Sequence, residues 1–207
     1  MHIALLGGAF NPPHIGHFLI AQQVLDYARP EHGRRIDEVW FLPNYGQKYF
    51  GQESSKIVAP AEDRVSMLRT METPRIKVST LEIEHQLDGQ TIRLLPHLPS
   101  EHTFSFIIGS DQLPTFHLWS GWKELLSTMH FLVFPRHGFT VEPLYEGMQV
   151  VDGGGMLITT DISSTKIRQR IQTKLPMEGF VLPGVASYIR EHELYLEGVR
   201  GKPETRQ

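Results

Sequence analysis

Two histidines three residues apart, His14 and His17, end the run Gly7-Gly8-Ala9-Phe10-Asn11-Pro12-Pro13-His14-Ile15-Gly16-His17. On the first turn of a helix, positions i and i+3 share a face, so both imidazoles can offer N–H groups to one ligand. Two glycines directly after an apolar run let the backbone turn with its amides inward, and a following helix adds its positive end, a setting that binds anions. Gly16, between the histidines, removes a side chain where a ligand comes close. Phosphate binding is the chemistry these residues point to. A zinc pair would need a third ligand at a defined geometry, and no candidate is identifiable. The loop matches neither Gly-x-x-x-x-Gly-Lys-Ser/Thr nor Gly-x-Gly-x-x-Gly, so neither a P-loop NTPase nor a dinucleotide dehydrogenase is supported.

A second group stands near the other end of the chain, in Asp161-Ile162-Ser163-Ser164-Thr165-Lys166-Ile167-Arg168. Hydroxyls and free amides open a helix there, and Arg168 in its early turns can pair with phosphate oxygens. Alone this is an ordinary Ser/Thr cap with a solvated arginine; joined to the glycine loop it becomes part of a phosphate site. Gly109-Ser110-Asp111 ends an apolar run with an acid that can accept from ribose hydroxyls or cap a turn. Trp119 and Trp122 can stack on a planar ring or serve as core aromatics.

These residues need strand ends and helix starts to hold them. Ile3 to Leu6 reads as a strand, Ile15 to Tyr27 as a helix and Val39 to Leu42 as a second strand, closing a right-handed parallel βαβ unit. Residues 43–60 lack any period and read as a mobile or functional loop. A helix follows from Pro60, with Val65, Leu68 and Met71 as its buried face, and residues 76–83 alternate like a strand. Strands are expected at 103–109 and 130–135, with a helical Trp-bearing segment between them. The glycines 153–155 turn into a last strand at 156–160, and helices follow at 163–172 and 183–194, the latter structural. The sum is an α/β chain with a Rossmann-like, doubly wound, mainly parallel sheet and helices on both faces, its ligand at the carboxyl ends of strands near the switch in strand order. One domain is expected over 1–197, with 198–207 a disordered tail.

Composition narrows the partners. With 207 residues, 40% apolar and 21% charged, the chain reads as one globular unit. No apolar run approaches the roughly 20 residues that cross a bilayer, and Met1 to Leu6 has neither a basic n-region nor a cleavage site. The absence of cysteine excludes disulfides and thiolate metal sites and fits a cytoplasmic protein. A net charge of −3 argues against broad nucleic-acid binding but leaves phosphate-bearing small molecules open. No residue pattern sets an oligomeric state.

The glycine–histidine run resembles the opening of nicotinate-nucleotide adenylyltransferases, within the HxGH nucleotidyltransferase superfamily, and Ile162 to Arg168 is similar to that superfamily's late Ile-Ser-Ser-Thr-x-Ile-Arg segment, which binds ATP phosphates. Gly109-Ser110-Asp111 resembles the family's Gly-Ala-Asp, Trp119-Ser120-Gly121-Trp122 its pyridine-stacking segment, Phe134-Pro135-Arg136-His137-Gly138 its Arg-Pro-Gly turn and Val185 to Tyr195 its closing helix. The likeness extends to about Leu196. It implies transfer of AMP from ATP to nicotinate mononucleotide, giving deamido-NAD and pyrophosphate in NAD biosynthesis, with Mg²⁺ arriving on ATP. It implies catalytic roles for His14, His17 and Arg168. ATP contacts are implied at Gly7, Gly8, Ala9, Phe10, Gly109, Asp111, Arg136, Ile162, Ser163, Ser164 and Thr165, and mononucleotide contacts at Lys48, Thr91, Trp119 and Trp122.

The chain also departs from the family. Ala9 stands where the family has Thr or Ser, and Asn11 where it has Asp. Tyr45 to Phe50 replaces the expected Pro-Pro-His-Lys stretch, leaving Lys48 as a cation, and Gly89 to Leu94 replaces Ser-Tyr-Thr-x-Asp-Thr, keeping Thr91 and introducing Arg93. Two other readings stay open. One is adenylyl transfer to nicotinamide mononucleotide or another mononucleotide; the other is a catalytically weak nucleotide sensor.

Overall fold

Ile3, Ala4 and Leu5 are wholly inaccessible to solvent, so consecutive residues are buried on opposite faces of one strand, as a central strand of a parallel sheet requires. The structure, a computed structural model, describes residues 1–29, 35–45, 48–49, 52–53 and 59–196. In chain order the elements are β1 (His2–Gly8), α1 (Ile15–Tyr27), β2 (Glu38–Pro43), β3 (Lys48–Tyr49), β4 (Gln52–Glu53), α2 (Ala61–Arg69), β5 (Ile76–Val78), α3 (Leu81–Glu84), β6 (Thr103–Gly109), α4 (Trp122–Thr128), β7 (His130–Phe134), β8 (Met148–Val150), α5 (Ser164–Gln172) and α6 (Pro183–Glu191). Short 3₁₀ segments span Thr91–Arg93, Leu95–His97 and Ser110–Leu118.

Six strands form one sheet in the order β5-β2-β1-β6-β7-β8, and every neighbouring pair is parallel. The chain builds outward from β1 in one direction and, from β6, in the other, which is the Rossmann-like doubly wound α/β fold with its switch between β1 and β6. Side chains alternate across the sheet. Ala4, Leu6, Val39, Phe41 and Leu132 pack with Val24, Leu68, Ile167 and Ile189 from the helices α1, α2, α5 and α6. Ile3, Leu5, Phe106, Ile108 and Phe131 face the other way, against Leu113, Phe116 and Leu125. Both faces are therefore covered. Among the described residues no helix is long and apolar enough to cross a membrane.

Three expectations need correction. The last strand is Met148–Val150, paired with β7, whereas residues 156–160 pair with no strand. Their backbone is met by a side chain instead: the Gln23 amide donates to the Ile158 carbonyl at 2.9 Å and accepts its N–H at 2.5 Å, the two bonds a neighbouring strand would give. The strand at 76 stops at Val78: the Ser79 N–H makes the last bond of the ladder, to the Phe41 carbonyl, and Thr80 then caps α3. Within 43–60, Lys48–Tyr49 and Gln52–Glu53 pair as a small antiparallel ribbon. The expected mobility of that loop, and the tail at 198–207, fall outside the described residues.

Candidate active site

At the carboxyl end of β1 the backbone reverses through Phe10, whose φ of 49° lies in the left-handed region that side chains avoid at a cost of roughly 1–2 kcal/mol. Its ring, 2% exposed, is driven into the core, edge-on to His17 at 4.7 Å and to Phe41 at 5.5 Å. This burial offsets the strain and fixes the loop ahead of α1. His14 is the N-cap of α1, and its backbone N–H donates to His17 Nδ1 at 3.1 Å. With Nδ1 accepting, the neutral His17 ring carries its proton on Nε2, which makes that atom a donor. The two imidazoles stack at 3.7 Å. Gly16 makes room for that stack, since a Cβ there would stand 3.0 Å from the His14 ring, and it also borders the smaller pocket beside both histidines.

Burial first, and the Arg136 charge second, lower the His14 pKa to about 4. Burial, then His14, then Arg136 hold His17 well below the ordinary imidazole range. Both rings are therefore neutral at pH 7 and act as N–H donors rather than cations. The first amide of α1, on Ile15, is already donated to the Phe180 carbonyl, so the helix end has fewer free donors than the sequence promises.

The late segment meets this loop directly. Ser163 caps α5 by accepting from the Lys166 N–H at 3.3 Å. Ser164 Oγ donates to the Pro12 carbonyl at 2.7 Å, and Arg168 Nη1 donates to the Asn11 carbonyl at 2.6 Å while Nη2 reaches Thr165 Oγ1 at 3.3 Å. The two segments singled out from opposite ends of the sequence are thus bonded to each other. Asn11 also uses its side-chain oxygen, accepting from the Ala59 N–H at 3.0 Å, so the carboxamide ties the loop to the entry of α2.

A cavity of about 500 Å³ opens at the carboxyl ends of β1 and β6, on the strand switch. Its walls include Gly7, Gly8, His17, Gly109, Asp111 and Arg136, together with Glu82, Asp88, Thr91 and Trp119. Arg136 Nε lies 3.3 Å from Asp111 Oδ1, and Gly109 keeps that pair possible, because a Cβ there would meet the same oxygen at 2.2 Å. A smaller pocket shares His17 and Arg136 with the cavity and adds His14, Gly16 and Ile162.

Other expected residues stand elsewhere. Ala9 and Phe10 do not border the cavity: the Ala9 carbonyl accepts from Arg64, and the Phe10 ring is buried in the core. Ser163, Ser164, Thr165 and Arg168 brace the loop and do not border the cavity. Trp119 borders it, whereas Trp122 packs on Tyr145 at 5.2 Å, the core-aromatic alternative. The Lys48 side chain lies outside the described residues. Arg93 is exposed and pairs with Asp88 at 3.2 Å rather than entering the cavity.

Sequence reasoning missed two buried charged groups. Arg64, 2% exposed, donates to the carbonyls of Asn44 at 2.7 Å, Ala9 at 2.8 Å and Ala59 at 3.1 Å, tying the glycine loop to the turn after β2 and the entry to α2. Its signal was its phase: Arg64 shares a helical stripe with Met67, Leu68 and Met71, and these form the buried face while Val65 is only partly covered. Glu82 is 5% exposed, and its Oε2 is buried with no hydrogen-bond partner.

The cytidylyltransferase-like family model matches residues 5–170. A "probable nicotinate-nucleotide adenylyltransferase" of Lactiplantibacillus plantarum is 34% identical over 93% of this chain and 87% of its own length. One of Halalkalibacterium halodurans is 33% identical over 93% and 90%. The chain belongs to the nicotinate-nucleotide adenylyltransferase family. Among solved structures, the Plasmodium falciparum nicotinic acid mononucleotide adenylyltransferase complexed with NaAD superposes over 94% of this chain and 97% of its own with a TM-score of 0.68 and 17% identity, a likeness of fold. Family membership extends over the glycine loop, the cavity walls and the Ser163–Arg168 segment alike, so the departures at Ala9, Asn11 and 89–94 are variations within a nucleotidyltransferase.

Proposed function

We propose that this protein transfers AMP from ATP to nicotinate mononucleotide, forming deamido-NAD and releasing pyrophosphate. The observation that carries the reading is the bonding of the His14–His17 loop to the Ser164–Arg168 helix beside a cavity that holds Asp111, Arg136, Thr91 and Trp119. Adenylyl transfer needs donors around a triphosphate and a flat surface for a pyridine ring, and these residues supply both.

The 5′-phosphate oxygen of the mononucleotide attacks the α-phosphorus of ATP in line. The new P–O bond forms as the bond to the β-phosphate bridging oxygen breaks, and the electron pair leaves with pyrophosphate. The attacking phosphate, with a second pKa of about 6, is mostly dianionic at neutral pH, so no general base is required. Catalysis then rests on positioning and on charge stabilisation at the transferring phosphoryl group. Neutral His14 and His17 contribute N–H donors, and Arg168 contributes a charge that exchanges its carbonyl partner for phosphate oxygen. Gly7 and Gly8 let the ligand approach the backbone, while Ala9, Phe10, Ser163 and Thr165 hold that loop from behind and Ile162 borders the smaller pocket beside His14. Asp111 accepts from ribose, and Thr91 and Trp119 hold the ring, while Trp122 supports that wall from the core. Mg²⁺ comes as the counter-ion of ATP. A single folded unit over 1–197, working in the cytoplasm, fits this role.

The test is pyrophosphate release from ATP with nicotinate or nicotinamide mononucleotide, measured side by side. Turnover with nicotinate mononucleotide supports the assignment, and none with either nucleotide refutes it.

A further inference from the structure

Glu82 is a carboxyl in a cavity wall that pairs with no cation among the described residues. It sits on α3, lines the cavity that also contains Thr91 and Trp119, is 5% exposed and leaves Oε2 without a partner. An unpaired buried carboxylate is costly unless it is neutral or meets a donor. The 91–93 turn and the Trp119–Gly121 segment are adjacent, since a Cβ on Gly121 would touch the Ile92 side chain at 2.8 Å. Asp88, close enough to act on Glu82 electrostatically, accepts from the Gln90 N–H at 3.2 Å, so Glu82 belongs to the side of the cavity that carries Thr91.

Its charged surroundings leave it free to change state. Asp88, in the same wall, is the charge that faces it; Arg93 is turned outward onto Asp88 at 3.2 Å. On α3 itself, Glu84 accepts from Thr80 Oγ1, and His85 stacks on His97. On β2, which packs against α3, Glu38 accepts from Trp40 Nε1 at 2.7 Å. Arg136, the cavity's cation, is engaged with Asp111.

We infer that Glu82 determines specificity by reading the substituent on the acceptor's pyridine ring, accepting from a carboxamide when ionised and donating to a carboxylate when neutral. The inference rests on the adenylyltransferase reading and deepens it. Burial, with Asp88 adding, raises the Glu82 pKa to about 7, so the exchange between the two forms falls in the working pH range. The acid acceptor is then favoured below neutrality and the amide acceptor above it.

The readout is the ratio of kcat/KM for nicotinamide over nicotinate mononucleotide from pH 6 to pH 8. Ionisations common to both reactions, including those of the acceptor phosphate, ATP and the histidines, cancel in that ratio. If each acceptor used only one form of Glu82, the ratio would climb about 100-fold across those two pH units; a rise of about 10-fold or more is expected. Glu82→Gln, which cannot ionise, should flatten it to within about 2-fold. Should that variant fail to fold by circular dichroism, Asp88→Asn decides. Removing the neighbouring charge lets Glu82 ionise earlier, so the ratio should begin its rise at lower pH. A flat wild-type ratio, a slope that survives Glu82→Gln or an unmoved rise in Asp88→Asn overturns the inference while leaving adenylyl transfer standing. No pyrophosphate from either acceptor overturns both.

Discussion

His17 does two jobs with two different nitrogens, and substitution can separate them. Nδ1 accepts the His14 N–H at 3.1 Å and so holds the N-cap, while Nε2 is left as the donor for a phosphoryl oxygen. His17→Ala removes both. Losing one preorganised donor costs roughly 10²–10³ in kcat, about 2.7–4 kcal/mol of transition-state stabilisation. The orphaned His14 N–H, with the lost packing of His14 at 3.7 Å and Phe10 at 4.7 Å, adds about 1–3 kcal/mol of lost stability. His17→Asn puts its side-chain oxygen where Nδ1 was and nothing where Nε2 was, so it should keep stability and lose turnover. His17→Gln reaches the Nε2 position with an N–H and should recover about 10-fold in kcat over Asn while holding the cap less well. Pyrophosphate release under ATP saturation gives kcat, and urea unfolding gives stability. Normal turnover in His17→Ala, or Asn and Gln variants alike in both measurements, would refute the assignment of the two nitrogens.

Gly109→Ala should displace the Asp111–Arg136 pair, because the new methyl would stand 2.2 Å from Asp111 Oδ1 and 2.8 Å from Arg136 Nε. The obstructing atoms are side-chain ends, so stability should change by under about 1 kcal/mol while KM for ATP rises about 10-fold. An unchanged KM would remove those two residues from the nucleotide site. Arg64→Met leaves three buried carbonyls without their donors and should cost about 3–5 kcal/mol, lowering the urea midpoint by more than about 1 M. A loss below about 1 kcal/mol would mean that the loops do not depend on it.

The most legible parts of the molecule were those where function is written locally. Gly7 to His17 and Ser163 to Arg168 each combine a turn, a cap and a ligand-type side chain within a few residues, and their meeting across the fold followed from the doubly wound topology. Met148–Val150 was illegible because an apolar-polar-apolar triplet is too short to set a period and owes its pairing to β7. Residues 156–160 misled because an apolar, β-branched run after a glycine turn has the composition of a strand, while the Gln23 side chain takes the place of a strand neighbour. Arg64 and Glu82 were missed for a common reason: a charged residue is read as surface unless its partners are known, and the partners here are carbonyls and a cavity supplied by distant segments.

The central place of β1 has a consequence for how the chain is made. The strand that carries the glycines gains its first neighbour with β2, but its other edge pairs with Thr103–Gly109, whose Ser105 meets His2 at 2.8 Å. At synthesis rates of roughly 5–20 residues per second, the about 60 residues between β2 and β6 take on the order of 3–12 s to emerge. For that time the nascent chain carries an apolar strand with one open edge, the kind of edge that pairs with other chains. The strand laid down first is sealed late, and the phosphate loop at its end is completed later still, once Ser164 and Arg168 arrive to bond it.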